Sequence, residues 1–219
     1  MTIAYQLVVF DMDGTLTHDA LDFEALRLEL RLAERRPILE WIAALPESQR
    51  DHATKVLEQH ECRAAEICEP RAGTADALKE LARRKVRTAL LTRNSRQSVE
   101  RIVTRHRWPL EVLVSRDEPP FKPHPASLQR ILQHYGIGPD ATLMVGDYIF
   151  DIQVARAAGV ASVLLLDAAA PRPTFADEAD FCIFDIADIV RLLDEPEKFR
   201  RKSHVFANDY RQQKYVEKG

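Results

Sequence analysis

Leu7-Val8-Val9-Phe10-Asp11-Met12-Asp13-Gly14-Thr15-Leu16-Thr17 is the stretch that decides how this chain folds. Four uninterrupted apolar residues run straight into two acids and a glycine. A run so short and so apolar suits a strand covered on both faces, as strands of a parallel sheet are. Asp11 and Asp13 lie two residues apart, so both side chains can point the same way into a crevice. Gly14 permits the tight turn that exposes backbone N–H groups beside them.

The same pattern recurs along the chain. Val86 to Leu91, Val112 to Val114, Thr142 to Val145 and Ala161 to Leu166 are short aliphatic runs. Between them apolar residues recur at helical spacing: Leu78 and Leu81; Val99, Ile102 and Val103; Leu128, Ile131, Leu132 and Tyr135. Pro125 fits the first turn of a helix after His124, and Gly136 and Gly159 stand where helix C-terminal caps belong. Repeated β-α-β units of this length predict an α/β fold, a doubly wound parallel sheet with right-handed crossovers and helices on both faces.

One segment breaks the alternation. From Leu21 to Cys68 there is no strand-like run; Phe23, Leu26 and Leu30 come first, Pro37 opens Ile38 to Leu45, and Ser48 opens a stretch with Ala53, Val56, Leu57, His60 and Ala64. This predicts two or three helices inserted after the first strand, a small helical cap over residues 19–69. The alternative is that they pack on the sheet as extra core helices. The α/β core then comprises residues 1–18 and 70–195, and a polar, basic extension, 196–219, follows. That extension is expected to be a loose tail, a docked helix or a contact between copies.

Composition narrows the function classes. The 219 residues carry 31 Lys and Arg against 34 Asp and Glu, a net charge of −3, with 46% apolar and 30% charged residues. That is the balance of a globular protein, with no cationic field to draw nucleic acid. No run approaches the roughly 20 apolar residues of a membrane span, and the first apolar run ends in Asp11 and Asp13 without a cationic region ahead of it. The expectation is a cytoplasmic protein without membrane or nucleic-acid partner. Cys62, Cys68 and Cys182 are odd in number and lack metal-site spacing, so they read as reduced packing thiols.

In an open parallel sheet, ligands bind beyond the carboxyl ends of the strands. After the first strand stand Asp11 and Asp13; after the second, Thr92-Arg93-Asn94; after the third, Lys122 in a loop stiffened by Pro123 and Pro125; after the fourth, Gly146-Asp147 through Asp151. Carboxylates gathered in one crevice repel one another unless a cation neutralises them. A hard divalent ion with oxygen ligands, Mg²⁺, fits such a set, and a substrate phosphate would give Thr92 and Lys122 their roles. Phosphoryl transfer through a carboxylate nucleophile is the chemistry these residues suit. Each has a bland alternative: Asp147 capping a helix, Asp151 complementing its dipole, Thr92 starting a helix with Asn94 and Ser95, and Lys122 on the surface. Their coincidence at four successive strand ends favours the catalytic reading.

In this order and context, Asp11-Met12-Asp13-Gly14-Thr15-Leu16, Thr92, Lys122-Pro123 and Gly146-Asp147 to Asp151 resemble the four motifs of the haloacid dehalogenase superfamily, over roughly residues 5 to 190. The insert resembles that family's helical cap of the first type, though shorter than usual. The resemblance implies a Rossmann-type core. It also implies Asp11 as nucleophile and Mg²⁺ ligand, Asp13 as general acid/base with its carbonyl on the metal, and Asp147 and Asp151 as further metal ligands. Thr92, Lys122 and the backbone N–H groups near Met12, Asp13 and Arg93 would hold the phosphoryl group.

An acid at Asp13 favours a phosphatase over a dehalogenase, since a leaving alkoxide needs a proton and a halide does not. The implied activity is hydrolysis of a small soluble phosphomonoester: phosphoglycolate-like, a sugar phosphate or a nucleotide. A phosphomutase and a non-catalytic binding module are the alternatives. Arg93 departs from the small or amide residue usual after the second-motif hydroxyl, and either binds an anion on the leaving group or pairs with an acid at the rim. His18, His52, Lys55 and His60 either face the substrate or belong to solvated helix faces.

Overall fold

The computed structural model describes residues 5–34 and 36–200. Six strands, β1 (Leu7–Phe10), β2 (Arg87–Leu91), β3 (Val112–Val114), β4 (Thr142–Gly146), β5 (Ala161–Leu165) and β6 (Phe181–Ile183), form one sheet in the order β3-β2-β1-β4-β5-β6. Every neighbouring pair is parallel. The order turns outward in both directions from β1, so the fold is doubly wound and its ligand crevice lies beyond the carboxyl ends of β1 and β4.

Alternation along each strand divides the core into two layers. Val8 and Phe10 join Leu90, Leu143 and Val145 on one face. That face packs against α4 (Thr74–Arg83), α5 (Arg96–His106) and α8 (Asp188–Asp194) through Leu78, Leu81, Val99, Ile102 and Leu192. Leu7 and Val9 point the other way, joining Ala89, Leu91 and Met144 against α6 (Pro125–Tyr135) and α7 (Ile149–Ala158) through Leu128, Ile131 and Val154. Strands covered twice explain why the sequence shows unbroken apolar runs.

The expected caps form. His124 is the N-cap of α6 with Pro125 in its first turn, and Gly136 and Gly159 end α6 and α7 in the left-handed conformation. One boundary and one strand differ from expectation. The third helix of the insert begins at Glu47 after Pro46, not at Ser48, because Pro46 supplies the fixed extended backbone ahead of it. Strand β6 was not expected: no run of helical spacing separates Phe181–Ile183 from β5 to mark a β-α-β unit, and pairing with β5 makes these residues a strand.

Three helices lie between β1 and α4: α1 (Phe23–Glu29), α2 (Ile38–Ala44) and α3 (Glu47–Ile67). They share an apolar cluster of their own, with Leu26, Ile38, Ile42, Ala53, Val56 and Leu57. Only α3 enters the sheet's core, where its Ala65 joins the layer under α5. A last helical turn, α9 (Pro196–Phe199), lays Phe199 against that same layer. Residues 201–219 of the basic extension lie outside the described residues. Among the described residues no disulfide joins the cysteines, and Cys68 and Cys182 are buried.

Leu90 sits in the middle of the sheet with no exposure. Leu90→Ala is expected to cost about 2–5 kcal/mol of unfolding free energy, read as a lower urea midpoint at unchanged slope. A loss below about 0.5 kcal/mol, the range of surface substitutions, would contradict this core assignment.

Candidate active site

The register of β1 against β4 brings their ends level. Phe10 pairs with Val145, and the Asp11 N–H donates to the Val145 carbonyl at 2.8 Å. Asp11 therefore leaves β1 beside the loop that carries Asp147 and Asp151. The buried Lys122 side chain enters from the β3–α6 loop, its Nζ 2.7 Å from Asp11 Oδ1 and 2.7 Å from Asp151 Oδ1. Oxygens of Asp11, Asp147 and Asp151 all lie within 4.8 Å of one another.

Two glycines allow this approach. At Gly14, whose φ is +74°, a Cβ would stand 2.2 Å from Asp147 Oδ2; at Gly146 it would stand 2.1 Å from Asp151 Cγ. Any side chain there would displace a carboxylate. The Thr15 hydroxyl donates to Asp147 Oδ1 at 3.2 Å, and the Tyr148 N–H to Asp151 Oδ2 at 3.1 Å. Asp147 does not cap α7; Tyr148 occupies that position, and Asp151 in the first turn accepts its N–H.

The electrostatics follow from burial and crowding. Desolvation first, then repulsion from Asp11 and Asp151, pushes Asp147 up to about 8. Desolvation and the Asp11 charge push Asp13 up to about 7, against a hydrogen bond from Asn94. Burial raises Asp151 also, with the Lys122 ammonium opposing. Burial opposes the charge on Lys122, but Asp11 and Asp151 more than offset it, so its pKa is raised. One ammonium is too little cation for three clustered carboxylates. An all-oxygen donor set of this kind fits a hard divalent ion such as Mg²⁺.

Around this cluster the remaining predicted residues separate. Thr92 is buried at the end of β2, its N–H donating to the Val114 carbonyl at 3.0 Å, and it lines the same cavity as Asp11 and Asp13. The Met12 side chain is fully buried in the core, so only its backbone faces the turn. Of the two alternatives for Arg93, pairing with an acid is the one observed. Its Nη2 lies 2.7 Å from both oxygens of Glu40 on α2, its Nη1 donates to the Lys122 carbonyl at 2.8 Å, and its guanidinium stacks 4.3 Å from the Phe150 ring centre. His18, His52 and Lys55 are exposed and are not among the residues lining the cavity. His60 is neither solvated nor at the cavity: it is buried, with Nε2 2.8 Å from Glu29 Oε2.

The cavity itself has a volume of about 540 Å³, within the usual range for small-molecule sites. Its floor is the acid cluster; its walls include Asp19, Arg27, Arg36 and Glu61, which the sequence reading did not single out. Residues 5–159 match the haloacid dehalogenase-like hydrolase family. The chain belongs to that family. It is 31% identical over 201 residues to an uncharacterised hydrolase of Saccharomyces cerevisiae, covering 87% of this chain and 92% of the relative. It is 25% identical over 221 residues to phosphoglycolate phosphatase 1 of Pseudomonas aeruginosa, covering 87% and 80% respectively. A solved hydrolase from Pseudomonas syringae, 21% identical, shares the fold with a TM-score of 0.72 over 87% of this chain and 98% of that one. Among the described residues no helix is long and apolar enough to cross a membrane.

The raised acids make stability depend on pH in a definite sense. Asp13 and Asp147 keep protons in the folded chain that the unfolded chain, with values near 3.8, has already released. Their contribution is therefore most favourable at low pH and is lost as pH rises through about 7 and 8. Without divalent cations, Tm by calorimetry is expected to fall between about pH 5 and about pH 8, and Asp147→Asn to flatten that fall. A variant with the unaltered protein's pH slope would contradict the assigned repulsion.

Proposed function

We propose that this hydrolase is a Mg²⁺-dependent phosphatase of small soluble phosphomonoesters, acting through an aspartyl-phosphate on Asp11. The observation that carries the reading is the convergence of Asp11, Asp147 and Asp151 around the Lys122 ammonium at the ends of β1 and β4, in a chain of this family. Asp11, Asp147 and Asp151, with the Asp13 carbonyl, would hold the ion, which supplies positive charge beside the phosphoryl oxygens.

The chain's own groups do the rest. An Asp11 carboxylate oxygen attacks phosphorus; the bond from phosphorus to the leaving oxygen breaks, and its electron pair stays on that oxygen. Asp13, protonated near neutrality by its raised pKa, gives it the proton. Asp13 then takes a proton from water as the water attacks the aspartyl-phosphate, releasing phosphate and restoring Asp11. Lys122 neutralises charge on Asp11 and the phosphoryl group, and Thr92 with the backbone N–H groups of Met12, Asp13 and Arg93 binds the phosphoryl oxygens. In this reading residues 19–69 are the cap, 1–18 and 70–195 the core, and 196–219 the extension.

The leaving group is read by the cap. Arg93 is already occupied by Glu40; Arg27 and Arg36 line the cavity, and while Arg27 Nη1 donates to Glu24 Oε1 at 3.3 Å, its buried Nε has no partner among the described residues. These favour a leaving group with a second anion, as in phosphoglycolate or a sugar bisphosphate, over a neutral alcohol. The likeness to phosphoglycolate phosphatase 1 supports the same choice.

Phosphate release from a panel of phosphomonoesters, with Mg²⁺ and with EDTA, tests this. Release is expected to require the metal, to rank anionic leaving groups first, and to fall at least about 10³-fold in Asp11→Asn, as loss of a nucleophile does. Undiminished turnover in that variant, or in EDTA, contradicts the reading. Isomerisation dependent on a bisphosphate, with little free phosphate, would indicate the mutase alternative.

A further inference from the structure

Glu61 is an acid that the chemistry above does not use, and it is buried where the three-helix insert meets the sheet. It sits on α3 with 4% exposure, forming a buried ion pair through Oε1 with Nη1 of Arg116, which follows β3 and is 8% exposed. Its Oε2 accepts the Ser95 N–H at 3.3 Å. Both partners lead to the loop after β2. Arg116 donates its backbone N–H to the Asn94 carbonyl at 3.1 Å and its Nη1 to the Arg93 carbonyl at 3.3 Å. Asn94 in turn gives its backbone N–H to Thr92 Oγ1 at 3.2 Å and its amide Nδ2 to Asp13 Oδ2 at 3.1 Å.

An unbroken chain of bonds thus runs from the insert through one asparagine to the acid that protonates the leaving group. A buried ion pair is a poor way to gain stability, because its desolvation offsets most of the attraction and an apolar pair would pack as well. What it does provide is direction: the Glu61 carboxylate fixes the guanidinium and the Ser95 N–H at once. Asn94, held at its carbonyl and next to Ser95, then presents its amide to a single Asp13 oxygen, leaving the other for the substrate. We propose that Asn94 positions Asp13 for proton donation, and that Glu61 and Arg116 position Asn94, so that the seating of the insert sets the efficiency of leaving-group protonation. This rests on the phosphatase reading.

The test compares two esters that differ in their need for a proton. An alkyl phosphate leaves as a basic alkoxide, whereas 4-nitrophenyl phosphate leaves as a stable phenolate. For Glu61→Gln, the ratio of kcat/KM for the alkyl ester to that for the aryl ester is expected to fall about tenfold, a fraction of what a general acid supplies. Asn94→Ala is expected to shift the ratio the same way, and the double variant no further than the larger single effect, because both act on one link. Arg116→Lys provides a milder perturbation should Glu61→Gln not fold. Equal losses for the two esters would reduce Glu61 and Arg116 to packing and overturn the proposal, as would an unchanged ratio in Asn94→Ala. If the unaltered protein releases phosphate from no ester of the panel, 4-nitrophenyl phosphate included, the phosphatase reading fails and takes this role with it, a result distinct from uniform loss in an active enzyme.

Discussion

An ammonium with 2% exposure, held 2.7 Å from each of two carboxylates, is the constraint on which the rest of the site depends. Removing one buried charge from such a set strands the others, at a cost of about 3–5 kcal/mol. The groups are therefore tolerable only together, and the backbone must hold them there. The sheet supplies Asp11, Asp147 and Asp151 from two adjacent strand ends, Pro123 and Pro125 stiffen the loop bearing Lys122, and Gly14 and Gly146 remove the atoms that would keep the acids apart. Burial first, and then repulsion from Asp11, leaves raised acids, chiefly Asp147 and Asp13. A fold that stores unfavourable carboxylates in this way is prepared for a cation.

The insert meets this cluster at two places of different character. Arg93 and Glu40 join α2 to the loop after β2 near the cavity, with Glu40 half in solvent, so that link is exchangeable. Glu61 and Arg116 join α3 to the same loop out of water, so that link is not. Long α3 therefore serves as the fixed edge of the insert, packed against α5, while α1 and α2 depend mainly on their own small cluster.

Much of the fold was legible because its signals are local. The runs at Leu7–Phe10, Val112–Val114 and Thr142–Val145 coincide with strands to within a residue, since a strand covered on both faces must be apolar throughout. Strand β6, no shorter than β3, was illegible because no periodic helix separates it from β5 to mark a β-α-β unit. In the site, Asp11, Thr92, Lys122, Asp147 and Asp151 announced themselves by following strands. Asn94 follows a strand too but reads as part of a helix start, and Arg27, Arg36 and Glu61 are, on the line of sequence, ordinary polar residues of helices and loops. His60 shows the limit of helix-face reasoning, as its partner Glu29 is 31 residues distant.

By itself the sequence determined the kind of sheet, the order of its strands' chemistry and the composition of an acid-rich, oxygen-donor crevice, because these follow from residue types and short periods. Only the tertiary structure decided which charges neutralise one another. That Lys122 divides itself between Asp11 and Asp151, that Arg93 faces Glu40, and that Asp13 is held through Asn94 by a helix some 50 residues along the chain are consequences of three-dimensional approach. Coulomb and hydrogen-bond energies change over a few ångströms, and no spacing in the sequence encodes distances of that size between non-contiguous loops.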